Sequence, residues 1–338
     1  MAELPLPAAI AVVVTAAVVI MVAGPKMVRI ADRLADVTGL GEAFVGAVLL
    51  GASTSLPDII TTLTPAIRGL PDLAVSNALG GVLAQTVFLA IADLAHRGAN
   101  LEHAAASLAN VVQASLLIAL LGGVLVLFVG PQVQVWGIHP GSVVLVGAYV
   151  YGLRLVTETA EAPMWRAVET DDTQQDVPDE PASATEAGPL WRRFAGMAVV
   201  LAAAGFALAI GGESLVVVAG LQEATVGVFI TGFGTSLAEL VVSIAAVRAG
   251  ALTLAVANVI GGNIFDTLLV AAADVAYRPG SVYGAVGDGP LLVAGLGLVA
   301  TAVLVLGLLR RERHGVGNIG AESAAVLALY VLALIALW

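Results

Sequence analysis

The chain has 338 residues, of which 59% are hydrophobic and 12% charged, with a mean hydropathy of +0.99. Soluble domains carry about 25% charged residues, so this balance excludes an ordinary water-soluble fold and indicates a polytopic membrane protein. A net charge of −11 with no basic stripe excludes nucleic-acid partners, and the lack of cysteine excludes disulfides, thiolate metal sites and cysteine catalysis.

A membrane-spanning helix needs about 20 mostly apolar residues. Ten segments qualify: 6–24, 39–66, 70–94, 104–129, 138–156, 192–219, 221–247, 251–277, 289–309 and 319–338. Glu3 precedes the first apolar run and no basic residue does, so that run reads as a first span and not as a cleaved signal. Residues 157–190 are the only long polar stretch. Nine acids stand there, from Glu158 to Glu186, against Arg166, with Pro178 and Pro181. Such a composition cannot bury a core and predicts a solvated linker. The expected organisation is a first five-helix repeat (1–156), an acidic cytoplasmic linker (157–190) and a second five-helix repeat (191–338).

Basic residues orient the chain. With both termini outside, the inner loops collect Lys26, Arg29, Arg33, Arg97, Arg154, Arg166, Arg192, Arg193, Arg248, Arg310, Arg311 and Arg313, leaving Arg68 and Arg278 outside. The expected location is the cell membrane, multi-pass, with N- and C-termini outside.

The two halves repeat one another. Adding 181 to a residue number aligns Gly51-Ala-Ser-Thr-Ser-Leu-Pro-Asp58 with Gly232-Phe-Gly-Thr-Ser-Leu-Ala-Glu239 without a gap. Downstream, Gly80-Gly-Val-Leu-Ala-Gln85 aligns with Gly261-Gly-Asn-Ile-Phe-Asp266, and Asn77 with Asn258. The copies begin in spans two and seven, five apart, and an odd separation reverses direction across the membrane. The expected fold is an all-α membrane protein of ten transmembrane helices in two inverted-topology five-helix repeats, with discontinuous helices at an ion site.

Helical spacing sets Thr54, Asp58 and Thr62 on one face and Thr235, Glu239 and Ser243 on its counterpart. Asn77, Gly81 and Gln85 form a second stripe, matched by Asn258, Gly262 and Asp266. Ser, Thr and Gly taken singly suit close helix packing. A carboxylate does not, since inserting one costs about 2.5–3.5 kcal/mol on translocon scales. Asp58, Glu239 and Asp266 therefore read as functional, and a donor set of oxygens suits hard cations such as Ca²⁺ or Na⁺. Gly51, Gly232 and Gly234, with Pro57, are placed to unwind the helices and free carbonyls. Asp93 and Asp274, at span ends, read as interfacial, and the four histidines as solvated.

On these motifs the chain resembles the sodium/calcium exchanger family of cation/Ca²⁺ antiporters. The family pattern, G-T-S-x-P-E followed by G-S-N-x-x-N/D, is matched closely by Gly234–Glu239 and Gly261–Asp266 and more loosely by the first copy. The resemblance implies ion sites lined by Thr54, Ser55, Asp58, Gln85, Thr235, Ser236, Glu239 and Asp266. It also implies Ca²⁺ exchanged for Na⁺ as the first and sixth helices slide across the core. Backbone or supporting contributions fall to Gly51, Asn77, Gly81, Gly232, Asn258 and Gly262. Asp58 stands in place of Glu, Gln85 of Asn and Ala238 of Pro, while Gly81 and Gly262 each replace a serine. The lost hydroxyls weaken Na⁺ sites more than the Ca²⁺ site and make an H⁺-driven antiporter the alternative. A cation channel is the alternative of another class, whereas an intramembrane aspartyl protease would need Gly-x-Gly-Asp. The expected partners are the lipid bilayer and inorganic cations, with no cofactor, no enzymatic activity and a monomer sufficient for transport.

Overall fold

A computed structural model describes residues 4–38, 55–95, 107–161, 187–249, 252–311 and 320–338. Among these residues the chain is helical, with one isolated antiparallel bridge, Val135 to Ile138. In order, the helices are α1 (Leu6–Thr38), α2 (Leu56–Ile67), α3 (Pro71–Ala95), α4 (Leu108–Val129), α5 (Pro140–Glu161) and α6 (Ala187–Ala219). They continue as α7 (Glu223–Thr235), α8 (Leu237–Ala249), α9 (Leu252–Ala276), α10 (Asp288–Arg310) and α11 (Ala321–Leu337).

Among the described residues seven helices are long and apolar enough to cross a membrane, and α7 with α8, bent by 46°, makes an eighth when the pair is taken as one span. The chain is therefore an all-helical, multi-pass membrane protein. Of the ten expected spans, 39–66 is described only from Ser55 onward, and 319–338 contains the 17-residue α11. Helix α1 runs past the expected end at Gly24, through Pro25, to Thr38. Both edges of the expected linker are helical: α5 continues to Glu161 and α6 starts at Ala187, leaving 162–186 outside the described residues.

The helices sort by depth within the bundle. In α3, 94% of the spanning stretch is buried, against 22% in α1. Helix α3 is thus the axis of the molecule, packed by α2, α7, α9, α10 and α11. Around it, Val75, Leu79 and Val82 join Leu117, Leu121, Val259, Ile260 and Val293 in the largest apolar cluster. Helix α1 is peripheral and lies along α6. It turns Ala16, Ile20, Ala23 and Met27 inward, while Ile10, Val14, Val18 and Val22 form an outer row. Lipid is as apolar as those valines, so the choice of inner face rests on close packing of small residues and not on hydrophobicity.

Contacts recur at the sequence offset of 181. Helix α2 packs on α6 as α8 packs on α1; α9 meets α4 as α3 meets α10; α11 meets α3 as α5 meets α9. A Cβ on Gly205 would lie 2.9 Å from the Pro57 carbonyl oxygen, and one on Gly24 would overlap the Cβ of Ala238. These are equivalent pairs, since 24 and 205 differ by 181, as do 57 and 238.

Asp93 and Asp274 repeat the pattern and correct the expectation that they are interfacial. Both are buried. Asp274 Oδ2 accepts from the His139 backbone N–H (2.8 Å) and from Ser142 Oγ (2.8 Å), at the start of α5. Its Oδ1 accepts from Ser281 Oγ (2.7 Å) and the Val282 N–H (2.9 Å). Asp93 Oδ2 accepts from the Gly320 N–H (3.3 Å) and Ser323 Oγ (3.1 Å), at the start of α11. Residues 139 and 320, like 142 and 323, differ by 181, so each half caps the last helix of the other. A helix start leaves N–H groups unsatisfied, and a buried one needs an acceptor; that need draws these acids inside. His139 is correspondingly buried, edge-on to Tyr283, and not solvated; the other histidines lie outside the described residues. Burial pushes the Tyr283 hydroxyl above the usual phenol range.

Asp274→Asn should destabilise the protein by about 3 kcal/mol or more, because one amide nitrogen would face two donors that now meet a carboxylate oxygen. Thermal unfolding in detergent, followed by tryptophan fluorescence, measures the loss.

Candidate ion-binding site

The site forms where α7 and α8 cross α3, α2 and α9. Helix α7 does not run as a regular helix. Residues Gly227–Gly232 form a π-helical stretch, Phe233–Thr235 return to α geometry, and the chain bends at Ser236 before α8. Such a wide turn adds a residue without ending the helix and marks functional sites in many proteins. The expected interruption at Gly232 and Gly234 is present, but the carbonyl it exposes at Gly232 is occupied. It accepts from Ser236 Oγ (2.8 Å) and the Ser236 N–H (3.2 Å).

Glycine sets how close α7 comes to α3. A Cβ on Gly232 would fall 2.7 Å from the Asn77 carbonyl oxygen and 2.9 Å from the Gly81 nitrogen, both backbone atoms that cannot step aside. A Cβ on Gly227 would meet the Leu73 oxygen and Asn77 nitrogen at 3.0 Å. With α7 this close, Thr235 reaches across and its hydroxyl donates to Asp58 Oδ1.

Asp58, Glu239 and Asp266 are all buried. They stand on α2, α8 and α9, three helices that pack on α3 around a common space. Gly81 marks its centre. The position a Cβ would take there lies 3.2 Å from Asp266 Oδ2, 3.5 Å from Ser236 Oγ and 3.7 Å from Asp58 Oδ1. Side-chain oxygens from α2, from α9 and from the bend between α7 and α8 thus face one space beside Gly81 of α3. Across it Gln85 Nε2 donates to Asp266 Oδ2 at 2.7 Å. Asp58 Oδ2, Glu239 Oε2, Asp266 Oδ1, Gln85 Oε1 and Asn77 Oδ1 are buried acceptors with no protein partner. Buried acceptors are normally satisfied, so five near one site constitute an unfilled demand for positive charge or donors. Among the described residues no three His, Asp or Glu side chains close on a single metal position, so any ion here draws on hydroxyl and amide oxygens as well.

Of the other expected residues, Ser55 is buried at the start of α2, and Asn77 donates to Thr62 Oγ1 at 2.9 Å. Asn258 and Gly262 on α9 are half-buried, where Asn77 and Gly81 are fully buried. Gly51 and Thr54 lie outside the described residues. One residue not singled out from the sequence belongs to this region. Asn263 donates to Thr86 Oγ1 at 3.1 Å, tying α9 to α3, and its Oδ1 is a further buried acceptor without a protein partner. It stands inside the Gly261–Asp266 motif, but its counterpart at the offset of 181 is Val82, so matching the repeats hides it.

The profile of the family described as Sodium/calcium exchanger protein matches residues 8–157 and 190–338. The putative antiporter CaxA of Alkalimonas amylolytica is 26% identical over 283 residues, covering 83% of this chain and 85% of that protein. Among solved structures, the sodium-calcium exchanger NCX_Mj superposes with a TM-score of 0.62 at 17% identity, covering 98% of this chain and 100% of the other. The H⁺/Ca²⁺ exchanger CAX superposes with a TM-score of 0.63 at 16% identity, covering 97% and 82%. At such identities these structures speak for the fold alone.

Gly232→Ala should force α7 away from α3 and lower stability by about 1–3 kcal/mol, the usual cost of overpacking. A reduced melting temperature in detergent, without change of helical content by circular dichroism, is the expected result.

Proposed function

This chain belongs to the sodium/calcium exchanger protein family, and we propose from that premise that it is a secondary-active antiporter exchanging Ca²⁺ for Na⁺. The carrying observation is the buried space at Gly81, where oxygens of Asp58, Ser236 and Asp266 face one point. Asp58 and Glu239 are the principal Ca²⁺ ligands. Thr54, Ser55, Thr235 and Ser236 add hydroxyl oxygens, and Gln85 and Asp266 close the space on the α3–α9 side. All of these ligands are hard oxygens, as Ca²⁺ and Na⁺ require. No resident cofactor is needed.

Exchange follows from charge. Three carboxylates bring −3, and one Ca²⁺ leaves −1 in a low dielectric, an expensive state. In this reading Asp266 is protonated or separately compensated when Ca²⁺ sits between Asp58 and Glu239. Ion-filled states cross the membrane barrier and the bare charged state does not, so movement of one ion species requires return of the other. The two halves (1–156 and 191–338) act as inverted repeats, with the site at mid-membrane between them. The pairing of contacts at an offset of 181 supports that reading. The peripheral α1–α6 pair is the moving part, sliding on the core centred on α3. Both termini lie outside and the acidic linker is cytoplasmic. With no native cysteine, single cysteines introduced at 174 and 278 report this directly: an impermeant maleimide added to intact cells should label 278 and spare 174.

The driving ion has a second reading. Gly81 and Gly262 offer no hydroxyl where the family pattern has serine, which favours H⁺ over Na⁺. Calcium-45 uptake into proteoliposomes under a Na⁺ gradient alone, then a pH gradient alone, separates the two; the proposal expects Na⁺ to drive uptake. Uptake with no counter-ion at all would indicate a channel. Glu239→Gln should abolish Ca²⁺ protection against thermal unfolding. Asp266→Asn should keep a substantial part of it, and equal loss in both would refute the division of roles.

A further inference from the structure

Between α2, α5 and α9 lies an apolar groove of about 520 Å³ that opens on the side of the bundle, where Val143 and Val275 are exposed. Ile59 and Phe265 line one end of it, each next in sequence to an acid of the ion-binding site. From there Leu268, Ala272 and Val275 follow one face of α9. Leu63 and Ile67 carry the α2 wall onward to Arg278. Ten helical steps separate Phe265 from Val275, about 15 Å, which is half the thickness of the hydrocarbon layer. The groove therefore has the length of a lipid tail in one leaflet. Its one polar lining side chain is Ser142, whose hydroxyl is spent on Asp274 at 2.8 Å. The groove thus offers a polar ligand no free partner and fits hydrocarbon.

Charge is confined to the far end. Arg278, two residues beyond α9, is exposed and forms no ion pair among the described residues, whereas Arg68 is held by Glu213 at 3.0 Å. The hairpin before α5 lies against the same end. A Cβ on Gly280 would sit 3.2 Å from Gln134 Oε1, and Ile138, which closes the hairpin on Val135, also lines the groove. At the hairpin tip Trp136 is 96% exposed, and tryptophan favours the membrane–water interface. A free guanidinium and an indole at the mouth of a tail-length apolar groove complement the phosphate and glycerol of a lipid. We propose that the α2–α5–α9 groove binds one anionic phospholipid, with a tail along Leu268, Ala272 and Val275 and the phosphate on Arg278. The site stands whichever ions are carried; that the lipid belongs to the outer leaflet rests on the orientation proposed above.

Native mass spectrometry of the full-length, delipidated protein in detergent tests this, with dioleoylphosphatidylglycerol and dioleoylphosphatidylcholine titrated separately. One phosphatidylglycerol per chain should bind about fivefold more tightly than phosphatidylcholine, the worth of one basic residue at an anionic lipid surface. Arg278→Gln should bring the two lipids to equal affinity, and Arg278→Lys should keep most of the preference. Both variants should melt at the wild-type temperature in lipid-free detergent, since that side chain is exposed. Ala272→Phe should weaken both lipids by filling the groove. Equal retention of the two lipids by the wild type would mean annular lipid only and overturns the proposal, as does a preference that survives Arg278→Gln. Displacement by glycerophosphate, which has no tails, would mark a free-phosphate site, and a dimer in place of the lipid adduct would mark a face covered by a second copy; either result also overturns it. Retention in detergent is blind to orientation, so failure of the outward assignment and failure of this site are separate results.

Discussion

Three buried carboxylates that form no ion pair with a cationic side chain among the described residues are the constraint on which the rest of the molecule depends. Asp58, Glu239 and Asp266 sit where an ionised acid is least stable, and each keeps an oxygen that no protein donor satisfies. The ion pairs at Arg68 with Glu213 and at Arg310 with Glu322 lie elsewhere in the fold. A buried carboxylate of this kind calls for positive charge beside it, and metal ions or protons from outside the chain are what the proposed function supplies. In the proposed function this is what couples the two fluxes: the site cannot be left empty while it changes the side to which it opens.

Acids of the same type serve a different purpose a few turns away, and the number of donors separates them. Asp274 receives four hydrogen bonds, two on each oxygen, and is consumed in holding helix starts together. Asp58 receives one side-chain bond, from Thr235, and its second oxygen is bare. Burial alone does not mark a candidate ion ligand; burial with unmet acceptor capacity is what makes Asp58 one. The crossed caps made by Asp93 and Asp274 also bind each half to the last helix of the other, so the core around α3 and α9 is a single interlocked body. The α1–α6 pair approaches that body most closely at Gly24 on Ala238 and Gly205 on Pro57, beside a cluster that includes Ile20, Met27 and Leu208.

Glycine determines the geometry between these parts. Gly227 and Gly232 let α7 approach α3 backbone to backbone, and that approach is what brings Thr235 to Asp58. Gly81 opens the space among the oxygens, and Gly262 admits the Gln85 amide. In water a glycine-rich helix would be weak. In lipid the backbone bonds have no competing solvent, and the close approach is gained without that loss.

Periodicity and composition alone determined the membrane class and singled out Asp58, Glu239 and Asp266 as acids inside apolar segments. Charge is so costly in hydrocarbon that an aspartate or glutamate within an apolar span is conspicuous. The offset of 181 was equally legible, because it aligns the motifs without a gap. Tertiary structure alone decided which buried acids have their oxygens filled by donors at helix starts and which keep an oxygen bare. Asp93 and Asp274 look interfacial because they stand near helix ends, and only the partner helices docking there supply their donors. Asn263 was hidden because the repeats diverge at Val82, and its partner Thr86 lies on another helix. The Gln85–Asp266 contact was likewise out of reach. Sequence gives the length of each side chain and the gap left by a glycine, but whether the two coincide depends on how far apart two helices lie in space.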